Sequence, residues 1–465
     1  MLRVFKQYYP IRNIFFVVGE GIFIFISVFI VSWILLGNPP PAESGWLVLK
    51  ILLITAVCQA CLYYNDLYDF KVSGNFNELG FRLMEALGFA AIFLAIVYIL
   101  FPVVVIGQWI FSVSIAAIIL LIVTWRFCYK LILDRGMFNE KIMLLGSSGL
   151  VGQIKQEIRE RQDCGYTVVL ELAETNGYRP DGSSERLGQM IGHRFEGLAH
   201  VARTLGVKKV VAGFKEKRNV FPTQELLRCR VEGIDVVEGN SFYEMLTGKL
   251  IVEQINPSWL IFSGGFEKSS TRRFLKRSTD LILSFGMLLC LCPLLLLVAI
   301  LIKLDSRGPV IYSQERVGER RKIFRVHKFR SMVADAEKHS GPVWAHDNDQ
   351  RVTRVGRIIR KIRIDEIPQL WNVFKGEMSF VGPRPERDFF VKDLEKQIPY
   401  YGERLTVKPG ITGWAQINYR YGATVEDAIE KLNYDLFYIK NMSIWMDLMI
   451  VLRTVKIVLF GRGAR

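Results

Sequence analysis

Two adjacent carboxylates, Asp365 and Glu366, stand in the run Arg363-Ile364-Asp365-Glu366-Ile367-Pro368-Gln369, behind a strongly basic segment. The motif Ser379-Phe-Val-Gly-Pro-Arg-Pro385 follows them, and Phe324-Arg-Val-His-Lys328-Phe-Arg330-Ser-Met332 precedes them. A carboxylate ringed by Arg and Lys can attack an anionic phosphate or hold a metal against it. Pro368 fits a first helical turn, which places Asp365 near a helix N-terminus, where an anion is favoured. The surrounding arginines are expected to keep that carboxyl ionised. Taken alone, Asp-Glu reads as a helix start with a surface acid; the ordered motifs around it single it out. His327, His339 and His346 have no metal-ligand spacing. Arg351, Arg354 and Arg357 read equally as phosphate contacts or as a solvated or lipid-facing basic face.

A scaffold must hold these groups together, and composition says where it sits. The chain has 465 residues, 51% of them hydrophobic, and a formal net charge of +15. Its mean hydropathy is +0.23, high for a water-soluble protein, and its length suggests two or three domains. Between Lys303 and Arg363, sixteen Lys/Arg face seven Asp/Glu, so more than half the net charge lies in one segment. Such a block suits nucleic acid, anionic lipid or a phosphorylated substrate. Its ties to an apolar run and to carboxylate motifs leave nucleic acid the poorest fit. Seven cysteines, an odd number with several inside apolar runs, fit a reducing compartment. Cys58 and Cys61 are spaced C-x-x-C but read as small hydrophobes.

Ile14–Leu36 is long enough to cross a hydrocarbon core of ~30 Å, and Trp46–Tyr64, Leu83–Phe101 and Trp109–Trp125 follow it. No small-residue cleavage site follows the first run, so a signal peptide is not expected. Arg3, Lys6 and Arg12 precede the first span and Arg126, Lys130 and Arg135 follow the fourth, while the Gly37–Ser44 loop has no Lys or Arg. The positive-inside rule puts both ends on the cytoplasmic face. Glu20 inside the first span is costly unless paired or near the interface. From Lys141 onward, strand-like runs at Lys141–Leu145, Thr167–Leu172, Lys209–Ala212 and Ile234–Val237 alternate with helical stretches, the pattern of a parallel α/β domain. Gly146-Ser-Ser-Gly149-Leu-Val-Gly152 resembles a dinucleotide-binding turn with altered spacing, for which Glu171 or Glu174 would be the ribose acid. With no Tyr-x-x-x-Lys pair following, a structural or regulatory Rossmann-like module is the preferred reading.

Leu281–Ile302 is a fifth long apolar run. Arg272, Arg273, Lys276 and Arg277 precede it and Lys303 and Arg307 follow it, which favours both ends on the cytoplasmic side. Cys292-Pro293 lies mid-run, where proline removes a helix hydrogen bond. A helix broken at Pro293 that enters and leaves one leaflet is the expected form. Ile444–Phe460 is amphipathic and suits either the membrane interface or a packed helix.

With Ser313-Gln-Glu-Arg316-Val-Gly318, Asp349-Gln-Arg351-Val-Thr-Arg354-Val-Gly356-Arg357, Tyr401-Gly-Glu-Arg404, Lys408-Pro-Gly410-Ile-Thr-Gly-Trp-Ala415 and Tyr434-Asp435 added in order, the sequence from about Thr271 to Arg465 resembles the polyprenyl-phosphate hexose-1-phosphate transferases. These are monotopic phosphoglycosyl transferases of the bacterial sugar transferase superfamily. Four spans and a Rossmann-like module upstream resemble its large members, and Tyr434–Lys440 with the terminal Gly-Ala-Arg465 resembles the exosortase-associated exopolysaccharide branch.

The resemblance implies a mixed membrane protein of three domains. Residues 1–135 would form a four-helix transmembrane bundle, 136–265 a Rossmann-like α/β domain, and 266–465 a mostly α catalytic domain with a re-entrant hairpin at 281–302 broken at Pro293. It implies Asp365 as nucleophile, Glu366 with Asp365 as ligands of Mg2+, and Lys328, Arg330 and Arg384 as phosphate contacts. The implied reaction transfers hexose 1-phosphate from a UDP-sugar to undecaprenyl phosphate, releasing UMP, at the bacterial inner membrane. Inner-membrane lipid, downstream glycosyltransferases and, as an option, a homodimer are the further partners. Relatives commonly have a small polar residue and Leu where this chain has Arg363 and Ile364, and Ser-Pro where it has Cys292-Pro293. The rival expectations are a membrane-anchored NAD-dependent nucleotide-sugar epimerase or dehydratase using the Gly146–Gly152 turn, and a non-catalytic polysaccharide-assembly scaffold.

Overall fold

A computed structural model of the chain describes residues 2–4, 7–9, 11–37, 41–68, 76–107, 109–134, 139–146, 149–161, 164–172, 195, 197–214, 221–255, 266, 269–333, 351–419, 422 and 424–459. A short antiparallel pair, β1 (Leu2–Val4) and β2 (Gln7–Tyr9), leads into four long helices. These are α1 (Ile11–Leu36), α2 (Pro41–Tyr64), α3 (Phe76–Leu100) and α4 (Ile110–Asp134). Each holds a stretch long and apolar enough to cross a membrane: Asn13–Leu36, Gly45–Tyr64, Glu78–Leu100 and Ile110–Ile132. A helix is the form such residues take in lipid, because it satisfies its own backbone groups where no water can. The four share a core that includes Ile24, Ile54, Leu83 and Ile118, yet Trp33, Ile34, Ile92 and Ile99 stay exposed. An apolar exterior of this kind marks a membrane protein.

The fourth helix runs well past Trp125 because its first charge is neutralised in place. Arg126 Nε donates to Glu20 Oε1 at 2.7 Å, and Arg126 Nη1 donates to the Leu67 carbonyl at 2.8 Å. Glu20 is fully buried, so its cost within the first span is met by this partner rather than by water.

The middle region alternates strands and helices: β3 (Glu140–Leu145), α5 (Gly149–Glu160), β4 (Tyr166–Leu172), α6 (Leu198–Thr204), β5 (Lys209–Ala212), α7 (Thr223–Val231), β6 (Asp235–Glu238) and α8 (Gly239–Thr247). Its four strands are parallel, in the order β4-β3-β5-β6. Alternation decides which face each residue covers: Met143 and Leu145 enter one core cluster, Ile142 and Leu144 the other.

The fifth apolar helix, α9 (Ser270–Asp305), has 36 residues, and the Ser269 side chain caps it by accepting from the Arg272 amide. Helical structure runs without interruption through Pro293, so any bend there is one within α9 and not a gap between two helices. A proline removes a single donor, whereas in an apolar surround every other backbone group has only the helix as partner. Both ends of α9 are tied to the C-terminal region. Near its start, Arg277 donates to the Val373 and Phe374 carbonyls at 2.6 and 2.7 Å, and Asp280 Oδ1 accepts from the Phe380 amide at 3.1 Å. At its end, Asp305 Oδ2 accepts from the Val355 amide at 3.1 Å, and Val298 and Ile302 pack with Phe329 and Ile359.

That region contains the hairpin β7 (Ile311–Val317) and β8 (Ile323–Phe329), then α10 (Arg354–Lys361) and α11 (Gln369–Lys375). There follow β9 (Ser379–Val381), α12 (Asp388–Gln397), β10 (Gly410–Thr412) paired parallel with β9, α13 (Trp414–Asn418), α14 (Val425–Asn441) and α15 (Ile444–Leu459). A reciprocal cap between Thr424 and Asp427 starts α14. This helix docks the α/β region through Glu430 with Lys249 at 2.5 Å and Lys440 with Glu244 at 2.6 Å. The last helix, α15, packs on this core through Met446 and Ile450 and leaves Trp445, Leu448 and Leu452 exposed. Its Lys456 donates to the Tyr63 carbonyl at 2.6 Å at the end of α2 and pairs with Asp66.

Candidate active site

Asp365 and Glu366 lie in a 3-10 turn, Ile364–Glu366, between α10 and α11. Pro368 caps α11, so the pair stands just ahead of that helix rather than in its first turn. The chain enters the turn through Arg363, whose φ of 59° is in the left-handed region; this costs a non-glycine residue about 1–2 kcal/mol. Close packing fixes α10 upstream: a Cβ on Gly356 would sit 2.0 Å from the Ser331 carbonyl oxygen. Downstream, the buried Asn372 of α11 accepts from the His327 amide at 3.1 Å and donates to the Arg325 carbonyl at 2.7 Å. These bonds lock α11 onto β8 and bring the turn beside Lys328.

Two cations converge on one oxygen of Glu366, and a third lies near the other. Lys328 Nζ and Arg384 Nη2 each donate to Glu366 Oε1 at 2.9 Å, and Arg363 Nη1 lies 3.8 Å from Glu366 Oε2. Arg384 is presented by the turn after β9, where a Cβ on Gly382 would come within 2.4 Å of the Lys408 carbonyl oxygen. Both carboxylates are buried, and among the described residues Asp365 Oδ1 accepts no hydrogen bond.

Electrostatics split the two acids. Burial raises Asp365 first, the Glu366 charge adds to it, and Lys328, Arg363 and Arg360 only partly offset them, leaving it up at about 6. The expectation that arginines would hold Asp365 low is thus reversed by desolvation. For Glu366, burial also pushes upward, but Lys328, Arg384 and Arg363 outweigh it and hold it well below the usual range. Lys328 is lowered, mainly by burial and further by Arg384.

Arg330 is not part of this cluster. Its Nη1 donates to the Arg307 carbonyl at 3.0 Å and its Nη2 to the Ser306 carbonyl at 2.7 Å, beyond the end of α9. Lys328 and Arg330 alternate as strand neighbours in sequence, but β8 ends at Phe329, so Arg330 turns to cap a helix. Arg354 and Arg357 are exposed on α10. Ser313 Oγ and His327 Nδ1 lie 2.9 Å apart on the hairpin, while His339 and His346 fall outside the described residues. In the α/β region, Glu171 is paired with Lys155 at 2.7 Å; Glu174 and Ser147–Ser148 of the glycine turn fall outside the described residues. The sequence reading missed Arg360 and Asn372, whose roles depend on contacts across the turn and across 45 residues.

Among the described residues no group of three or more His, Cys, Asp or Glu could hold a metal. Mg2+ needs no such cage: it takes one or two carboxylates and completes its shell with substrate phosphates and water. The unpartnered Asp365 Oδ1 beside Glu366 fits that donor set.

A buried carboxylate pair bonded by Lys and Arg, on a chain with five helices apolar and long enough to cross a membrane, has the chemistry to meet an anionic group at a lipid surface. Comparison with known proteins gives it a family: the pattern described as bacterial sugar transferase matches residues 271–461. An exopolysaccharide production protein, PSS, of Rhizobium leguminosarum bv. phaseoli is 44% identical over 186 residues, covering 39% of this chain and 93% of that protein. The UDP-N-acetylgalactosamine-undecaprenyl-phosphate N-acetylgalactosaminephosphotransferase of Aeromonas hydrophila is 44% identical over 240 residues, 52% of this chain and 56% of that protein. An undecaprenyl-phosphate glucose phosphotransferase of Komagataeibacter xylinus is 47% identical over 194 residues, 41% of this chain and 36% of that protein. This chain belongs to the bacterial sugar transferase family. It spans about half the length of the Aeromonas relative.

Proposed function

We propose that the protein transfers a hexose 1-phosphate from a UDP-sugar to undecaprenyl phosphate, the first membrane step of exopolysaccharide synthesis. The observation that carries this reading is Asp365: a buried carboxylate with one oxygen that finds no partner among the described residues, beside Glu366 and the cations that Glu366 gathers. An Asp365 oxygen attacks the sugar-bearing phosphorus of the UDP-sugar; the new O–P bond forms as the bond to UMP breaks. The phosphate oxygen of the polyprenyl phosphate then attacks the same phosphorus and displaces the Asp365 carboxylate. Lys328 and Arg384 hold the diphosphate oxygens, Arg384 as a fork and Lys328 as a point charge. Asp365 and Glu366 would hold Mg2+, which when bound would further neutralise phosphate charge.

The same reading places three domains at 1–135, 136–265 and 266–465, in the inner membrane, with the catalytic domain on the cytoplasmic face and in the exosortase-associated branch. A re-entrant α9 is supported by its two ends, each hydrogen-bonded to the catalytic region, and by basic residues at both. Purified protein given a UDP-sugar, Mg2+ and polyprenyl phosphate should release UMP. Asp365→Asn should abolish that release, and full turnover by the variant would refute the nucleophile assignment. A panel of UDP-sugars in the same assay identifies the hexose.

A further inference from the structure

Arg384 must aim its guanidinium at Glu366, yet it sits on a turn after a three-residue strand. What steadies that turn is a second arginine. Arg404 Nη2 donates to the Arg384 carbonyl at 3.1 Å and to Asp435 Oδ2 at 2.9 Å, while its Nη1 donates to Tyr401 Oη at 2.5 Å. Arg404 and Asp435 are both buried, at 6% and 2% exposure, so this is a desolvated pair and not a surface ion pair. One helical turn further along α14, Tyr438 Oη donates to Asp447 Oδ1 at 2.7 Å and lies 3.0 Å from the Val381 carbonyl oxygen. Two residues of α14 therefore reach the Val381–Arg384 segment, one directly and one through Arg404.

We infer that Arg404, oriented by Asp435, is a positioning residue of the transferase site: it fixes the backbone at Arg384 and thereby aims that side chain at the diphosphate. Burying such a pair is expensive, and an apolar pair of similar volume is often as stable or more so. A guanidinium bonded at once to Asp435 and to the Arg384 carbonyl does what an apolar pair cannot. The inference rests on the function proposed above and adds residues that touch neither substrate nor metal.

The test is a coupling measurement on the full-length chain in detergent or nanodiscs, with UMP release followed at varied UDP-sugar. Arg404→Met with Asp435→Leu removes both charges together and leaves no lone buried ion. Arg404→Lys keeps the charge but cannot span both acceptors, which provides a second route should the apolar pair fail to fold. Each change is made with Arg384 intact and with Arg384→Lys, and thermal unfolding is recorded for all variants. With Arg384 intact, turnover should fall on the order of tenfold to a hundredfold, the scale of a misplaced contact group. With Arg384→Lys, the further loss should shrink severalfold, because the two sites act through one group. Equal fold losses in both backgrounds, or wild-type turnover in the folded variants, would overturn the inference. A wild-type chain that releases no UMP from any UDP-sugar contradicts the transferase reading instead.

Discussion

Asp365 and Glu366 are neighbours with opposite electrostatic fates, and the difference has a kinetic consequence. Glu366 stays charged because Lys328 and Arg384 share its Oε1. Asp365 has no hydrogen bond to its Oδ1 among the described residues and is pushed up to about 6 by burial and by the Glu366 charge. A protonated carboxyl is no nucleophile, so UMP release should climb with pH through the acid range and then level off, and raising Mg2+ should move that limb to lower pH. Lys328, lowered by burial, should add a falling limb at alkaline pH, earlier than an ordinary lysine would give. A pH–rate profile of the half-reaction without lipid acceptor measures both limbs. A flat profile through the acid range would show that Asp365 does not titrate in the rate-determining species.

At the scale of elements, Arg330 separates what a motif reports from what a strand end does. Its guanidinium binds the Ser306 and Arg307 carbonyls just past α9, where a cation also favours the helix dipole. Arg330→Gln should therefore cost about 1.5–3 kcal/mol of stability, the worth of hydrogen bonds to a charged group. Thermal unfolding should show that loss while the KM for the UDP-sugar holds; a raised KM with unchanged stability would restore Arg330 to the phosphate site. The parallel strands and the long apolar helices were legible because period and length report burial directly. Lys328, Asp365, Glu366 and Arg384 were legible because ordered motifs carried them. Pairings such as Glu20 with Arg126, or Arg404 with Asp435, were not, since they join residues distant in sequence with no periodic signal. The extension of α4 past Trp125 has the same cause: a charge at Arg126 marks the end of a span in sequence, and only its pairing with Glu20 lets the helix continue.

For the molecule as a whole, the course of α9 decides how the proposed phosphate site would meet the proposed lipid substrate. At 36 residues it exceeds the ~20 needed to span a bilayer, yet both ends hold the same region of the protein. Cysteines placed at exposed Arg273 and Arg307 in a cysteine-free background should react with an impermeant reagent from one face of the membrane, and one at Gly45 from the other. Labelling of the first two from opposite faces would make α9 a spanning helix. The central claim, that Asp365 carries the phosphosugar, has its own direct measurement. The protein is mixed with a UDP-sugar and Mg2+ without polyprenyl phosphate, quenched, digested and read by mass spectrometry. The account predicts a sugar-phosphate adduct on Asp365 and a burst of UMP near one equivalent per enzyme. UMP released only when polyprenyl phosphate is present, with the Asp365 peptide unmodified, would contradict it.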